Sequence, residues 1–336
     1  MTQSGYAWHA DAWRHAHAAL RRGAHALLIA GPSGLGKGEF ALNLAASYLC
    51  ANPDADKGAC GACESCHWLA AGTHPDFALV ERPTDDDEAD KSSGPASGGR
   101  EKPIGVDQIR ALTPLISVSA HRDAGKVVIV RPAEALNLAA SNALLKSLEE
   151  PPAGVLFLLV SDRPALLLAT VRSRCQTVAV QLHDASAGAW LKEQGIDDAE
   201  LRLALAGGAP LQAVAIANDP MWARRRGFLG ALASRASEPI GIAESFRDLS
   251  PALVLSWLQR WTYDLVIMKF CARVRYHIDL QSEIESAAAD LDPVRVTRLH
   301  RALLAFQRHV NHPLNARLFL EQMLIEYARA TARGAD

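Results

Sequence analysis

Short apolar runs, separated by polar or glycine- and proline-rich breaks, punctuate the first half of the chain. Each has the length of a strand buried on both faces. Five such segments occur: Ala26–Ala30, Phe77–Val80, Lys126–Val130 (KVVIV), residues 155–160 (VLFLLV) and residues 177–180. Continuous aliphatic and β-branched runs of this length predict parallel strands covered by helices on both sides. Between them the apolar period lengthens to that of helices. A helical segment begins near Glu39, and residues 104–118 place Ile104, Ile109, Leu112 and Ile116 broadly at helical spacing. Residues 137–150 (NLAASNALLKSLEE) are strongly helical and stop at Pro151-Pro152, where the helix loses a donor and meets a clashing ring. A short helix is expected at 164–170. Strands alternating with helices predict a parallel α/β domain over residues 1–182.

Beyond Val180 no convincing strand remains. Helical patterns at 184–194 and 199–206 predict a small lid over residues 183–210, closed by the Gly207-Gly208-Ala209-Pro210 turn. Further helices at 243–247, 251–274, 283–289 and 293–333 make residues 211–336 an all-helical domain. Trp257 and Trp261, at i and i+4, are expected in its core. Leu314, Leu318, Met323 and Leu324 suit either that core or a contact with another chain. By contrast, residues 83–103 (PTDDDEADKSSGPASGGREKP) are acidic and then Ser/Gly/Pro-rich, too polar to bury a core, and are expected to form a flexible loop.

The chain has 336 residues with 35 Lys and Arg against 37 Asp and Glu, so near-neutrality does not announce a nucleic-acid binder. The start lacks a charged segment leading into an apolar one, and every apolar run is far short of a bilayer span, so a soluble, cytoplasmic protein with no membrane partner is expected.

Two stretches carry chemistry. The first strand stops at Gly31 and is followed by Gly34, Gly36 and Lys37, completing G-x-x-x-x-G-K before a helix. Backbone N–H groups of such a loop cradle phosphates, and its lysine reaches them as a point charge. The next residue, whose hydroxyl normally holds Mg²⁺, is Gly38. The phosphate cradle is therefore present and the metal ligand missing, so ATP binding without hydrolysis stays open. The second stretch is Cys50, Cys60, Cys63 and Cys66, spaced C-x9-C-x2-C-x2-C. Four thiolates suit tetrahedral Zn²⁺ in a closed structural site, within a module at about residues 50–75. His67 is an alternative ligand. Cys175 and Cys271 are expected as small buried side chains. The strand KVVIV, which in a P-loop ATPase ends in acidic residues, ends in Arg131-Pro132. Glu134 comes two residues too late and reads as a helix N-terminal carboxylate.

In order along the chain, GPSGLGKGEFA, CGACESC, GTHPD, SNALLKSLEEPP and VRSRC resemble the AAA+ subunits of the bacterial DNA polymerase III clamp loader. That resemblance implies an AAA+ P-loop domain with an inserted zinc module, a helical lid and a C-terminal helical collar domain. It places the family's zinc ligands on the four cysteines and its Ser-Arg-Cys motif on Ser173, Arg174 and Cys175. The family contains a hydrolysing gamma/tau type and a non-hydrolysing delta-prime type, and the departures point to the second. Gly38 replaces the hydroxyl residue, Arg131-Pro132 replaces the acidic pair, and Pro210 stands where the lid arginine would. The resemblance therefore implies a non-catalytic subunit that helps load the sliding clamp onto primed DNA beside gamma/tau and delta. It would supply Arg174, flanked by Ser173, in trans to a neighbour's ATP; Arg172 is the alternative finger. A gamma/tau-type ATPase is the alternative function. The helix matching 104–118 faces DNA in related subunits, which makes Arg110 and Arg122 candidate phosphate contacts.

Overall fold

The computed structural model describes residues 5–54, 57–83, 102–117, 125–182, 184–234, 238–307, 309–310 and 315–332. Most of the 83–103 stretch, Arg122 and Leu314 lie outside the described residues. Residues up to Ala187 form one compact unit and those from Gly188 another.

The first unit contains β1 (Ala26–Ala30), β2 (Phe77–Val80), β3 (Lys126–Val130), β4 (Val155–Ser161) and β5 (Gln176–Ala179), with helices α1 (Ala10–Arg21), α2 (Lys37–Leu49), α3 (Glu64–Ala70), α4 (Val106–Arg110), α5 (Thr113–Ser117), α6 (Leu138–Glu149) and α7 (Ala169–Arg172). The strands form one parallel sheet in the order β2-β3-β4-β1-β5. The three central strands are the fully buried ones, as their unbroken apolar runs require; on edge strand β5 only Val178 is buried. Alternate residues serve opposite faces. Leu28, Val128, Val130, Phe157 and Leu159 meet Ile109 and Leu112 and the α6 residues Ala140, Leu144 and Leu148 on one side. On the other, α1 and α2 bring Trp13 and Phe40 edge to face.

Register decides where chemistry can occur. Ala30 pairs with Ser161, and Val130 with Leu159, so β1, β3 and β4 end together. The loops after all three open on one edge, beside the point where β1 separates strands reached in opposite directions. This crevice beyond the strand carboxyl ends is where open α/β sheets bind ligands.

One expected helix is two. Residues 104–118 divide into α4 and α5, and Ile104 instead makes an isolated bridge to Leu136. Pro114 explains the break: it lacks an N–H and disfavours helical backbone at Thr113, so it suits only the first turn of a new helix.

The second unit is helical, from the later part of α8 (Asp184–Glu193) through α9 (Ala199–Leu205), α10 (Pro210–Asn218), α11 (Arg225–Ala233), α12 (Pro239–Ser245), α13 (Pro251–Cys271), α14 (Gln281–Ala289), α15 (Pro293–Phe306) and α16 (Ala316–Thr331). Its core runs from Leu191 to Tyr327 and contains Trp257 and Trp261, both fully buried. Trp261 Nε1 donates to Tyr327 Oη at 3.0 Å, tying α13 to α16. Met323 and Leu324 lie in this core, whereas Leu318 is exposed. The single helix expected over 293–333 is interrupted; Asn315 starts α16 by accepting from the backbone N–H of Arg317 and Leu318. Among the described residues no helix is long and apolar enough to cross a membrane.

Candidate functional site

The loop between β1 and α2 has P-loop geometry. Gly34 and Gly36 take φ of 78° and 74°, the left-handed region that side chains disfavour. At Gly31 a Cβ would lie 2.4 Å from Val180 O, so the loop base fits only against a glycine. Its charges are already compensated. Lys37, 3% exposed, places Nζ 2.6 Å from Asp162 Oδ1 and donates to Pro32 O, also at 2.6 Å. Asp162 follows β4, so strand register brings it to the P-loop.

The residue after the lysine meets a cation. A Cβ on Gly38 would come within 2.9 Å of Arg131 Nη1. Arg131 Nε in turn donates to Glu81 Oε1 at 2.6 Å. Two departures recognised separately in the sequence thus touch: the lost hydroxyl leaves the space beside which the guanidinium lies. Glu134 sits in a short 3-10 turn, Ala133–Ala135, and its carboxylate does more than face a helix start. Oε1 accepts the backbone N–H of Asp162 at 3.1 Å and of Arg163 at 3.2 Å.

The chain before α1 closes the other side of the loop. A Cβ on Gly36 would meet Tyr6 Cε2 at 2.4 Å, and Tyr6 stacks on Trp8 with centroids 4.7 Å apart. Trp8 Nε1 and His9 Nε2 both donate to Leu35 O, at 2.9 and 2.7 Å. Burial holds the His9 imidazole below its ordinary pKa of 6.5, more than the Leu35 carbonyl raises it. Magnesium nucleotide fits this donor set poorly: the lysine has a carboxylate, the hydroxyl is missing, and a guanidinium borders its place.

Ser173, Arg174 and Cys175 form the loop from α7 into β5. Arg174 Nη2 lies 2.6 Å from Glu149 Oε1, and Nη1 donates to Thr170 O at 3.0 Å. Ser173 is exposed and its Oγ donates to Thr170 O. Arg172 Nη1 donates to Pro164 O at 3.4 Å. Cys175 packs against the sheet core, and burial pushes its thiol up to about 12.

The four clustered cysteines meet. Their sulfurs all lie within 4.8 Å of one another, with Cys50–Cys63 at 3.9 Å, Cys63–Cys66 at 3.4 Å and Cys50–Cys66 at 3.7 Å. Zinc–sulfur bonds of about 2.3 Å in a tetrahedron separate sulfurs by about 3.8 Å, so the donor set fits such an ion. Backbone N–H groups of Asn52 and Cys60 point at Cys50 Sγ, 3.4 and 3.2 Å away. At Cys63 burial raises the thiol pKa, but N–H donors from Ala51 and Cys66 and the neighbouring thiols outweigh it and leave it at about 6. Cys66 is pushed up to about 12, first by burial and then by Cys63. His67 is exposed and outside the cluster. The histidine that matters locally is His74 of GTHPD. Its Nδ1 accepts from Asp76 N, Nε2 donates to Ser65 Oγ at 2.8 Å, and Ser65 passes the bond to Leu49 O. This relay fastens α3 to the end of α2. Asp76 then pairs with Lys126 of β3 at 3.7 Å, both buried. Cys271, expected buried, is exposed at the end of α13, because that helix end leaves the core at the left-handed Ala272.

Arg110 is exposed on α4, 3.6 Å from Asp107, and borders a groove of about 280 Å³ between α4–α5 and α6. The groove is lined by Ile109, Leu112, Ile116, Leu144 and Phe157, with Lys146 beside it. Sequence reasoning missed Asp162, Glu149, Glu81 and the Tyr6–Trp8–His9 cover. Asp162, Glu81 and the aromatic cover have no motif signal, because each acts through a partner distant in sequence; Glu149 lies within SNALLKSLEEPP, but nothing local names Arg174 as its partner.

Comparison with known proteins agrees along the chain. A family model described as DNA polymerase III, delta subunit matches residues 10–184, and its C-terminal counterpart matches residues 220–329. DNA polymerase III subunit delta' of Pseudomonas aeruginosa is 33% identical over 98% of this chain and 99% of its own length. The Escherichia coli delta' subunit is 32% identical over 87% of this chain and 84% of its own. Likeness to gamma/tau of Mycobacterium bovis, at 36%, covers only 45% of this chain and 23% of that protein. With its parallel five-stranded AAA+-like unit, its four-cysteine cluster, its helical C-terminal unit and near-full-length similarity, this chain belongs to the family of DNA polymerase III delta' subunits.

Proposed function

We propose that this chain is a non-hydrolysing stator of the clamp loader, which binds gamma/tau and delta and completes a neighbour's ATP site with Arg174. The observation that carries this reading is Arg174 itself. It stands in a short exposed loop with Ser173, in a chain whose own P-loop has lost the metal-holding hydroxyl and the acidic pair. Its contact with Glu149 joins two partly exposed side chains, at 35% and 49%, and such pairs are worth about 0–1 kcal/mol. Exchange for a phosphate therefore costs little. A guanidinium stays charged and makes forked contacts to phosphate oxygens. A gamma/tau-type hydrolase is disfavoured by Gly38 and Arg131.

The rest of the reading follows from the family. The four cysteines hold structural Zn²⁺, and the protein acts in the cytoplasm on primed DNA and, through its partners, on the sliding clamp. Residues 1–182, 183–210 and 211–336 serve as ATPase-like, lid and collar domains. Arg110 and Arg122 contact DNA phosphates within the assembly, a sequence-independent and salt-sensitive interaction.

The test is Arg174→Ala in a complex reconstituted with wild-type gamma/tau and delta, with Arg172→Ala as the control. The mutant assembles but loses turnover at one site by about 10³-fold or more, and loads clamps poorly. Normal DNA-stimulated turnover and loading in an intact assembly would falsify the assignment.

A further inference from the structure

We infer that Asp162 is the internal anion of this P-loop: its carboxylate stands at Lys37 where a nucleotide phosphate would stand, and the Arg131 guanidinium stands at Gly38 where the metal would. The inference deepens the non-hydrolysing reading and rests on it.

The lysine of a working P-loop must be free to meet a phosphate. Here Lys37 is 3% exposed and holds two acceptors at 2.6 Å, the Asp162 carboxylate and the Pro32 carbonyl. Asp162 is itself positioned. Its N–H and that of Arg163 donate to Glu134 Oε1, and Arg163 N also donates to Ser161 Oγ at 3.2 Å. The turn after β4 is thereby held so that the carboxylate faces the loop. The second cation, Arg131, has its own carboxylate in Glu81. Each of the two cations at the loop is therefore met by a carboxylate from within the chain.

An incoming triphosphate would have to displace a carboxylate from a buried ammonium and then sit beside it as a like charge. Magnesium would find no hydroxyl at residue 38 and a guanidinium at its border. The loop thus keeps the shape a nucleotide would otherwise impose, independent of whether nucleotide is present. Such a subunit holds one conformation through its neighbours' ATP cycle.

Removing one charge exposes the arrangement. Asp162→Asn keeps the size of the side chain and frees the Lys37 charge. ATP and inorganic pyrophosphate are titrated into the full-length wild type and the mutant by calorimetry, with Mg²⁺ and with EDTA. The wild type shows no saturable binding up to about 1 mM ligand, whereas Asp162→Asn binds both ligands at least about tenfold more tightly. That gain persists in EDTA, because a guanidinium serves in place of the metal, and is lost in Asp162→Asn/Lys37→Met. Saturable Mg²⁺-dependent binding by the wild type, or a folded Asp162→Asn that gains nothing, overturns the inference.

Should Asp162→Asn fold poorly, Asp162→Ser takes its place. Thermal unfolding of Lys37→Met, Asp162→Ser and the double mutant then reports the same pairing. The effects are strongly non-additive if the two side chains satisfy each other, and simple additivity overturns the inference. All of this is read on the chain alone, so an Arg174→Ala mutant that behaves normally in the assembly leaves the result distinguishable.

Discussion

The P-loop and the four-cysteine cluster lie at either end of α2, and their polar groups are met in opposite ways. At the P-loop, Lys37 meets Asp162, Arg131 meets Glu81, and aromatic side chains from the chain start cover the backbone. Both cations of the loop, Lys37 and Arg131, have a carboxylate partner inside the protein. At the cluster, four sulfurs converge within 4.8 Å, and the groups that point at Cys50 are backbone N–H dipoles, not cations. Convergent donors without an internal counter-charge call for an ion from outside; a cradle whose charges are met from within does not.

Metal removal is the strongest way to break this contrast. Chelation, or Cys63→Ser, is expected to unfold the loop between α2 and α3, with a local loss on the order of 10 kcal/mol. The measurement is metal analysis with proteolysis across residues 50–75. An absence of zinc in protein purified without chelators, or protease resistance in the chelated protein, would contradict the external-ion reading.

Next in size is the anchor beneath the module. Lys126→Met removes the cation from the buried Asp76 carboxylate and is expected to cost about 3–5 kcal/mol in chemical denaturation. Because Asp76 belongs to the His74 relay, the loss should appear both in global stability and in protection of α3 amides. A loss under about 1 kcal/mol, the worth of an exposed pair, would show that Asp76 is held by other partners.

Gly38→Thr sharpens the P-loop side. Restoring the hydroxyl residue places a side chain against Arg131 Nη1, the far end of a flexible side chain that can shift, and should cost about 1 kcal/mol or less. Arg131→Ala should relieve most of that cost, read as a double-mutant cycle on unfolding midpoints. Additive effects would mean that residues 38 and 131 do not share space.

The smallest effect is in pH. His9 is held below its ordinary value of 6.5 by burial, so the unfolded chain binds this proton first as pH falls. Its contribution is fully present above pH 6.5 and is lost as pH drops through and below that value. Urea midpoints from about pH 7.5 to about pH 5 should therefore decline less steeply in His9→Gln than in the wild type. Equal slopes would remove His9 from the account.

How much of this was legible beforehand follows from locality. The strands announced themselves because buried parallel strands need unbroken apolar runs, and the thiols because their ligand spacing is short. Helix limits were harder. Pro114 splits the segment after Ile104, and neither α10, apolar over most of its length, nor α11, which mixes apolar and basic residues, has a clear period. Cys271 shows the same limit: its neighbours are apolar, yet the helix end on which it sits points out of the core.

The sequence by itself determined the sheet's central strands, the glycine loop, the grouping of four cysteines and the absence of a hydroxyl after Lys37. These depend on residues close together, where backbone geometry and side-chain period act directly. Only the tertiary structure decided that Lys37 is met by Asp162, that Arg131 borders Gly38, that Arg174 rests on Glu149 and that Tyr6 covers Gly36. The first two pairs are set by strand order and register, which bring the carboxyl ends of β1, β3 and β4 together from distant parts of the chain, whereas Glu149 and Arg174 precede β4 and β5 and Tyr6 precedes α1. Long-range electrostatic partners carry no local pattern, because any carboxylate at the right strand end would serve.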